Sequence, residues 1–79
     1  MEQQQTREGM VVKRTFSAGS KSEHPAMYLQ TDAGEAYVLR RSGGNPFSDP
    51  VLQQLEGKRI RATGAIADYL FIISSYEVL

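Results

Sequence analysis

The stretch AMYLQTDAGEAYVLRR, Ala26 to Arg41, constrains this chain more than any other, because it reads as two strands folded back on a turn. Met27 and Leu29 alternate with Tyr28 and Gln30. After Thr31-Asp32-Ala33-Gly34-Glu35 the alternation resumes, with Tyr37 and Leu39 on one face and Val38 and Arg40 on the other. A period of two belongs to strands, since successive side chains leave a pleated backbone on opposite sides. Gly34 supplies a residue that takes positive φ without steric cost, as a tight turn between such strands needs.

More strands flank this hairpin. Glu8 to Phe16 forms a first strand, with Met10, Val12, Arg14 and Phe16 on one side and Val11, Lys13 and Thr15 on the other. Neither side is cleanly apolar, which suits a strand that bends across a small barrel, and Gly9 marks the bend or a close approach. Lys58 to Thr63 alternates Lys58, Ile60 and Ala62 with Arg59, Arg61 and Thr63, giving a largely apolar face and a basic one. Gly64 bends that strand, Ala65 to Ala67 continues it, and Asp68-Tyr69 makes a tight connection to the last apolar run, Leu70 to Val78. Ile72-Ile73 and Ser74-Ser75 break the alternation there, and either a bulge or an edge shared between two parts of a barrel accounts for them.

The remaining segments are connections. Ser17 to Pro25 is a polar surface loop, and Ser42 to Ser48, with two glycines and Pro46, cannot sit inside a helix or a central strand. Asp49-Pro50 then opens a short helix, the carboxylate accepting exposed amide protons and proline suiting the first helical position. Gly57 stops it, and Val51, Leu52 and Leu55 give it a small apolar patch. Met1 to Thr6, with three consecutive glutamines, reads as a disordered lead, leaving residues 7–79 as one domain.

A chain of 79 residues builds one core. Without cysteine it makes no disulfide, thiol nucleophile or common structural zinc site, and with His24 as its one histidine it is not expected to hold a metal or cofactor. No apolar run approaches the roughly twenty residues of a membrane span, and the start lacks the order of a signal peptide, so a cytoplasmic protein without a membrane partner is expected. Nine basic residues balance nine acidic ones, which argues against strong, sequence-blind attraction to phosphates.

Strand, strand, strand, short helix, strand, strand predicts an all-β fold, a small five-stranded barrel whose helix lies between strands three and four and plugs the open end. In this order, and in the tail LEGKRIRATGAIADYLFIISSYEVL, the chain resembles the oligonucleotide/oligosaccharide-binding fold, or OB-fold, over approximately Arg7 to Leu79. The resemblance implies a domain that binds single-stranded nucleic acid, tRNA or protein, or that mediates assembly. YVLRRSGGNPFSDP carries no motif of a particular activity.

Two sets of residues are candidate binders. Arg40 and Arg41 at the end of the third strand, with Arg59 and Arg61 on the fourth, are placed to meet phosphates, and Tyr28, Tyr37 and Tyr69 offer rings for stacking. Solvated faces or ion pairs are the competing reading for the arginines. Core packing competes for Tyr37, which shares parity with Leu39. Phe47 either anchors its loop or faces a protein partner, and the final strand with Tyr76 is placed to pair with another chain or with a second copy. The segment RRSGGNPF lacks the GxxxxGK[ST] of a phosphate loop. His24 with Ser20, Ser22 and Glu23 in one loop does not make a nucleophile, base and oxyanion site, and Asp32 and Glu35 flank a turn, so no catalytic residue is expected. The leading expectation is a non-enzymatic domain acting in protein interaction or assembly. Single-stranded nucleic-acid binding is the alternative, and small-ligand binding the third.

Overall fold

The computed structural model describes residues 4–16, 19, 21, 24–44 and 49–79. Five strands, β1 (Gln5–Phe16), β2 (His24–Thr31), β3 (Ala36–Arg41), β4 (Arg59–Ala67) and β5 (Leu70–Val78), close into a barrel in the order β1-β2-β3-β5-β4. All neighbours are antiparallel except β3 and β5, and the helix α1 (Pro50–Gln54) lies in the crossover between β3 and β4. The all-β, five-stranded architecture and the helix position are those expected from the alternation.

The alternation decides which side chains fill the barrel. Val11, Leu29, Leu39, Ile60, Phe71 and Ile73 point inward from all five strands, and Leu52 and Leu55 add to the same cluster from α1 and the turn after it. Asp49 caps the helix by accepting a hydrogen bond from the Val51 amide at 3.0 Å, and Pro50 occupies its first turn. With five residues the helix has no stability of its own and is held by Leu52, which it buries, and by Leu55 at its C-cap.

Two glycines make closure possible. A β-carbon on Gly9 would overlap the carbonyl oxygen of Gln30, and one on Gly64 would overlap that of Ile72, so each lets a neighbouring backbone come closer than any side chain permits. Beside Gly64 the register between β4 and β5 shifts by one residue, leaving Ser74 as the extra residue of a bulge. That bulge explains the broken alternation at Ile72 to Ser75.

One boundary differs from the reading of the sequence. β1 starts at Gln5 rather than Glu8, so the expected disordered lead is too long: Gln5 and Thr6 pair with Gly64 and Thr63, and the Thr6 and Thr63 hydroxyls lie 2.9 Å apart. These polar residues are held by ladder hydrogen bonds, which leave no trace in hydrophobic periodicity. Met1, Glu2 and Gln3 lie outside the described residues.

Candidate functional site

The basic residues divide into two groups by what surrounds them. Arg59 donates twice to Asp32, Nη1 to Oδ1 at 2.6 Å and Nη2 to Oδ2 at 2.8 Å. Arg61 reaches Glu8 through Nε at 2.7 Å and approaches Glu77 at 3.7 Å. Arg7 lies 3.7 Å from Glu35. Register brings these pairs together, since Glu8 is opposite Arg61 across β1 and β4, and Glu77 is opposite Arg61 across β4 and β5. The hydrogen bond from Arg59 holds the Asp32 carboxyl below its ordinary value.

Arg41 is tied just as closely, but for a structural purpose. It donates to buried Asp49 through Nε at 2.8 Å and Nη2 at 3.0 Å. That guanidinium, aided by the Val51 amide, holds Asp49 below the usual carboxylate range, against burial, which pushes the other way. The pair pins the end of β3 to the start of α1, closing a turn in which the Gly44 amide donates to the Arg41 carbonyl at 2.9 Å. Of the four arginines proposed to meet phosphates, Arg41, Arg59 and Arg61 are therefore held by carboxylates, and the four do not form one open basic surface.

Among the described residues, Lys13, Arg14, Lys21, Arg40 and Lys58 make no ion pair. All but Lys58 lie on the β1–β2 hairpin or the end of β3. Because Val11, Leu29, Leu39 and Phe71 point inward, Val12, Tyr28, Val38 and Leu70 point outward, and the strand registers align them in one row across β1, β2, β3 and β5. Val38 in this row is only 9% exposed although it stands outside the core cluster. The next row along the strands carries Arg14 opposite Ala26, and Arg40 beside Ile72. Arg14 Nη2 reaches back along the sheet to Gln30 Oε1 at 3.3 Å, so its side chain runs past the Tyr28 row.

A strained turn borders this face. Asp68 takes φ 55, the left-handed region that glycine occupies more readily, and the Tyr69 carbonyl accepts from the Val38 amide at 2.8 Å. Tyr69 stands 53% exposed at the end of the apolar row. Tyr28 is half-buried in its middle, whereas Tyr37 points inward and packs edge-on to Phe71, ring centroids 6.0 Å apart, with its hydroxyl donating to Glu35 at 2.7 Å. That hydrogen bond holds the Tyr37 phenol above its ordinary value and takes the ring out of the stacking set. Phe47 lies outside the described residues.

Tyr76 belongs to a separate surface. β3 leaves β5 after Arg41 and Ile73, with the Ser42 amide donating to the Ile73 carbonyl at 2.9 Å. Among the described residues, β5 from Ser75 onward pairs only with β4, and Tyr76, Val78 and Leu79 are exposed. A cavity of about 280 Å³, lined by Arg41, Ser42, Ile73, Ser74, Ser75 and Tyr76, opens where the two strands part.

The sequence reading passed over Arg14, Lys13 and Lys21. The available signal was local charge: from Met10 to Ser22 these three cations meet no carboxylate. Among the described residues, no helix is long and apolar enough to cross a membrane. In comparisons with known proteins, no family model, curated protein or solved structure matches the chain.

Proposed function

We propose that this chain is a small, non-enzymatic binding domain of the OB type whose outer β1–β2–β3 face takes single-stranded nucleic acid. The observation that carries the reading is the sorting of charge. Acidic partners occupy Arg7, Arg41, Arg59 and Arg61, while among the described residues Arg14, Lys21 and Arg40 make no ion pair around an apolar row that holds Tyr28 and ends at Tyr69. Unpaired cations beside aromatic rings suit a flexible anionic chain with stackable bases. In OB barrels ligands lie on the face of strands two and three, between the loops joining strands one to two and four to five. Here those elements carry Tyr28, Val38 and Arg40, the basic hairpin, and the Asp68-Tyr69 turn. Asp68 opposes an anionic ligand.

A fluorescent fifteen-residue oligothymidylate titrated at low salt tests this by anisotropy. Saturable binding is expected, with a logarithmic salt slope no steeper than about −2, because three cations on a single strand contribute about 0.7 each. No binding at 20 mM salt would remove the reading.

The protein-assembly reading has a different support, the edge of β5 away from β4 from Ser75 onward, which pairs with nothing among the described residues and carries exposed apolar side chains. Strand addition to such an edge recruits a partner through main-chain hydrogen bonds. Its test is whether the outward amides on that edge are open in the monomer.

A further inference from the structure

We infer that the free edge of β5 pairs with the β5 edge of a second copy of this chain, antiparallel about a twofold axis near Tyr76. The inference rests on the assembly reading and names its partner.

Two backbone hydrogen bonds orient the edge. The Leu79 amide donates to the Arg59 carbonyl at 2.9 Å, in register with Glu77 opposite Arg61 and Ser75 opposite Thr63. In an antiparallel ladder, residues that bond their opposite neighbour alternate with residues that turn their backbone groups the other way. Ser75, Glu77 and Leu79 therefore face β4, and the amides and carbonyls of Tyr76 and Val78 face away from it. The other bond gives the same phase one strand further on: Val11 donates to the Lys58 carbonyl at 3.0 Å, so Ile60 and Ala62 face β1. Among the described residues nothing pairs with the outward groups of Tyr76 and Val78.

The edge also lacks the usual guards. Sheet edges are protected by lysine, proline or inward charge, yet Ser75 to Leu79 contains neither lysine nor proline. Its one charged side chain, Glu77, lies 3.7 Å from Arg61 of the same chain. The bulge at Ser74 precedes this stretch and leaves it regular.

What selects a second copy is self-complementarity. The cavity between β3 and β5 lies at one end of the free edge, beside Ile73 and Tyr76, and the exposed apolar pair Val78 and Leu79 lies at the other. An antiparallel twofold puts the two Tyr76 residues together and brings Val78 of each copy, which shares a face with Tyr76, to the cavity of the other. At about 280 Å³ the cavity has room for one such side chain. A twofold interface requires this matching of one patch with itself.

Sedimentation equilibrium from 10 μM to 1 mM, with amide hydrogen exchange at both ends of the range, tests the inference. A monomer–dimer equilibrium is expected, with the Tyr76 and Val78 amides exchanging at least tenfold more slowly at high concentration. Val78→Pro removes an outward amide that β4 does not use, and Val78→Lys places a charge on the edge; each is expected to remain monomeric while folding as a barrel. If the proline variant fails to fold, the lysine variant gives the same readout. A dimer unaffected by Val78→Lys overturns the proposal. A monomer at 1 mM with open Tyr76 and Val78 amides overturns the second copy as partner and leaves strand addition by another protein standing. A monomer with those amides already protected overturns both.

Discussion

Arg59 and Arg14 both project from the outer surface of the barrel, and their surroundings differ completely. Arg59 is closed by a two-point bond to Asp32 with Glu8 3.8 Å away, whereas Arg14 meets, among the described residues, only the neutral amide of Gln30. The same contrast runs through the molecule: carboxylates gather where β1, β4 and β5 meet, and cations stay open on the β1–β2 hairpin and the end of β3. A formal net charge of zero thus conceals an uneven distribution, in which Arg7, Arg41, Arg59 and Arg61 are matched by carboxylates and, among the described residues, Arg14 and Arg40 are not. Exposed pairs of the first kind add little stability, since water and salt screen them. Their larger effect is to keep Arg59 and Arg61 occupied, which on the proposed nucleic-acid reading directs the ligand to the other face.

Reversing the open charges gives the largest expected effect. The double variant Arg14→Glu, Arg40→Glu should weaken oligothymidylate binding on the order of fiftyfold at 50 mM salt, two lost contacts at about 0.9 logarithmic units each. Arg59→Gln with Arg61→Gln should leave the affinity within about twofold. Equal losses from both double variants, read by anisotropy, would erase the distinction between the faces.

Asp49 tests a bond that is structural although one partner is an arginine of the candidate set. Asp49→Ala removes the helix cap and should lower unfolding stability by about 1–2 kcal/mol in urea denaturation. Because Arg41 and the Val51 amide depress the Asp49 pKa in the folded state, its contribution is present above the ordinary carboxyl value of 3.8 and is lost as pH falls below it. Asp49→Asn should flatten that acid limb. An unchanged acid limb would show that the pair adds nothing to stability.

Asp68→Gly should raise stability by about 0.5–1 kcal/mol, because glycine takes the positive φ at less cost, and should strengthen oligonucleotide binding by removing a negative charge beside Tyr69. A rise in stability with weaker binding would mean that the aspartate holds Tyr69 in place. The smallest effect belongs to Asp32→Asn: its melting temperature should shift less than that of Asp49→Ala, as befits an exposed pair.

Much of the barrel was legible in the sequence because inward and outward positions alternate wherever a strand is half-buried. Parity alone set Tyr37 with Leu39 and Arg40 with Val38, and the structure keeps both assignments. Asp49-Pro50 announced its helix through capping chemistry, and the serine pair announced its bulge. The ion pairs were not legible, because register rather than proximity in the chain makes them: Asp32 and Arg59 are 27 residues apart, and Glu8 and Arg61 are 53 apart. A dense run of arginines in a sequence cannot show which of them a distant strand neutralises. The outer apolar row was hidden for the same reason, since Val12, Tyr28, Val38 and Leu70 align only once three strand registers are known.

Amide chemical-shift mapping with the oligothymidylate tests the division of the two faces most directly. The account predicts shifts concentrated at Val12, Arg14, Tyr28, Val38, Arg40, Tyr69 and Leu70, with Arg59, Arg61 and Glu77 unmoved. Shifts centred on Arg59 and Arg61, or none at saturating oligonucleotide, would contradict it.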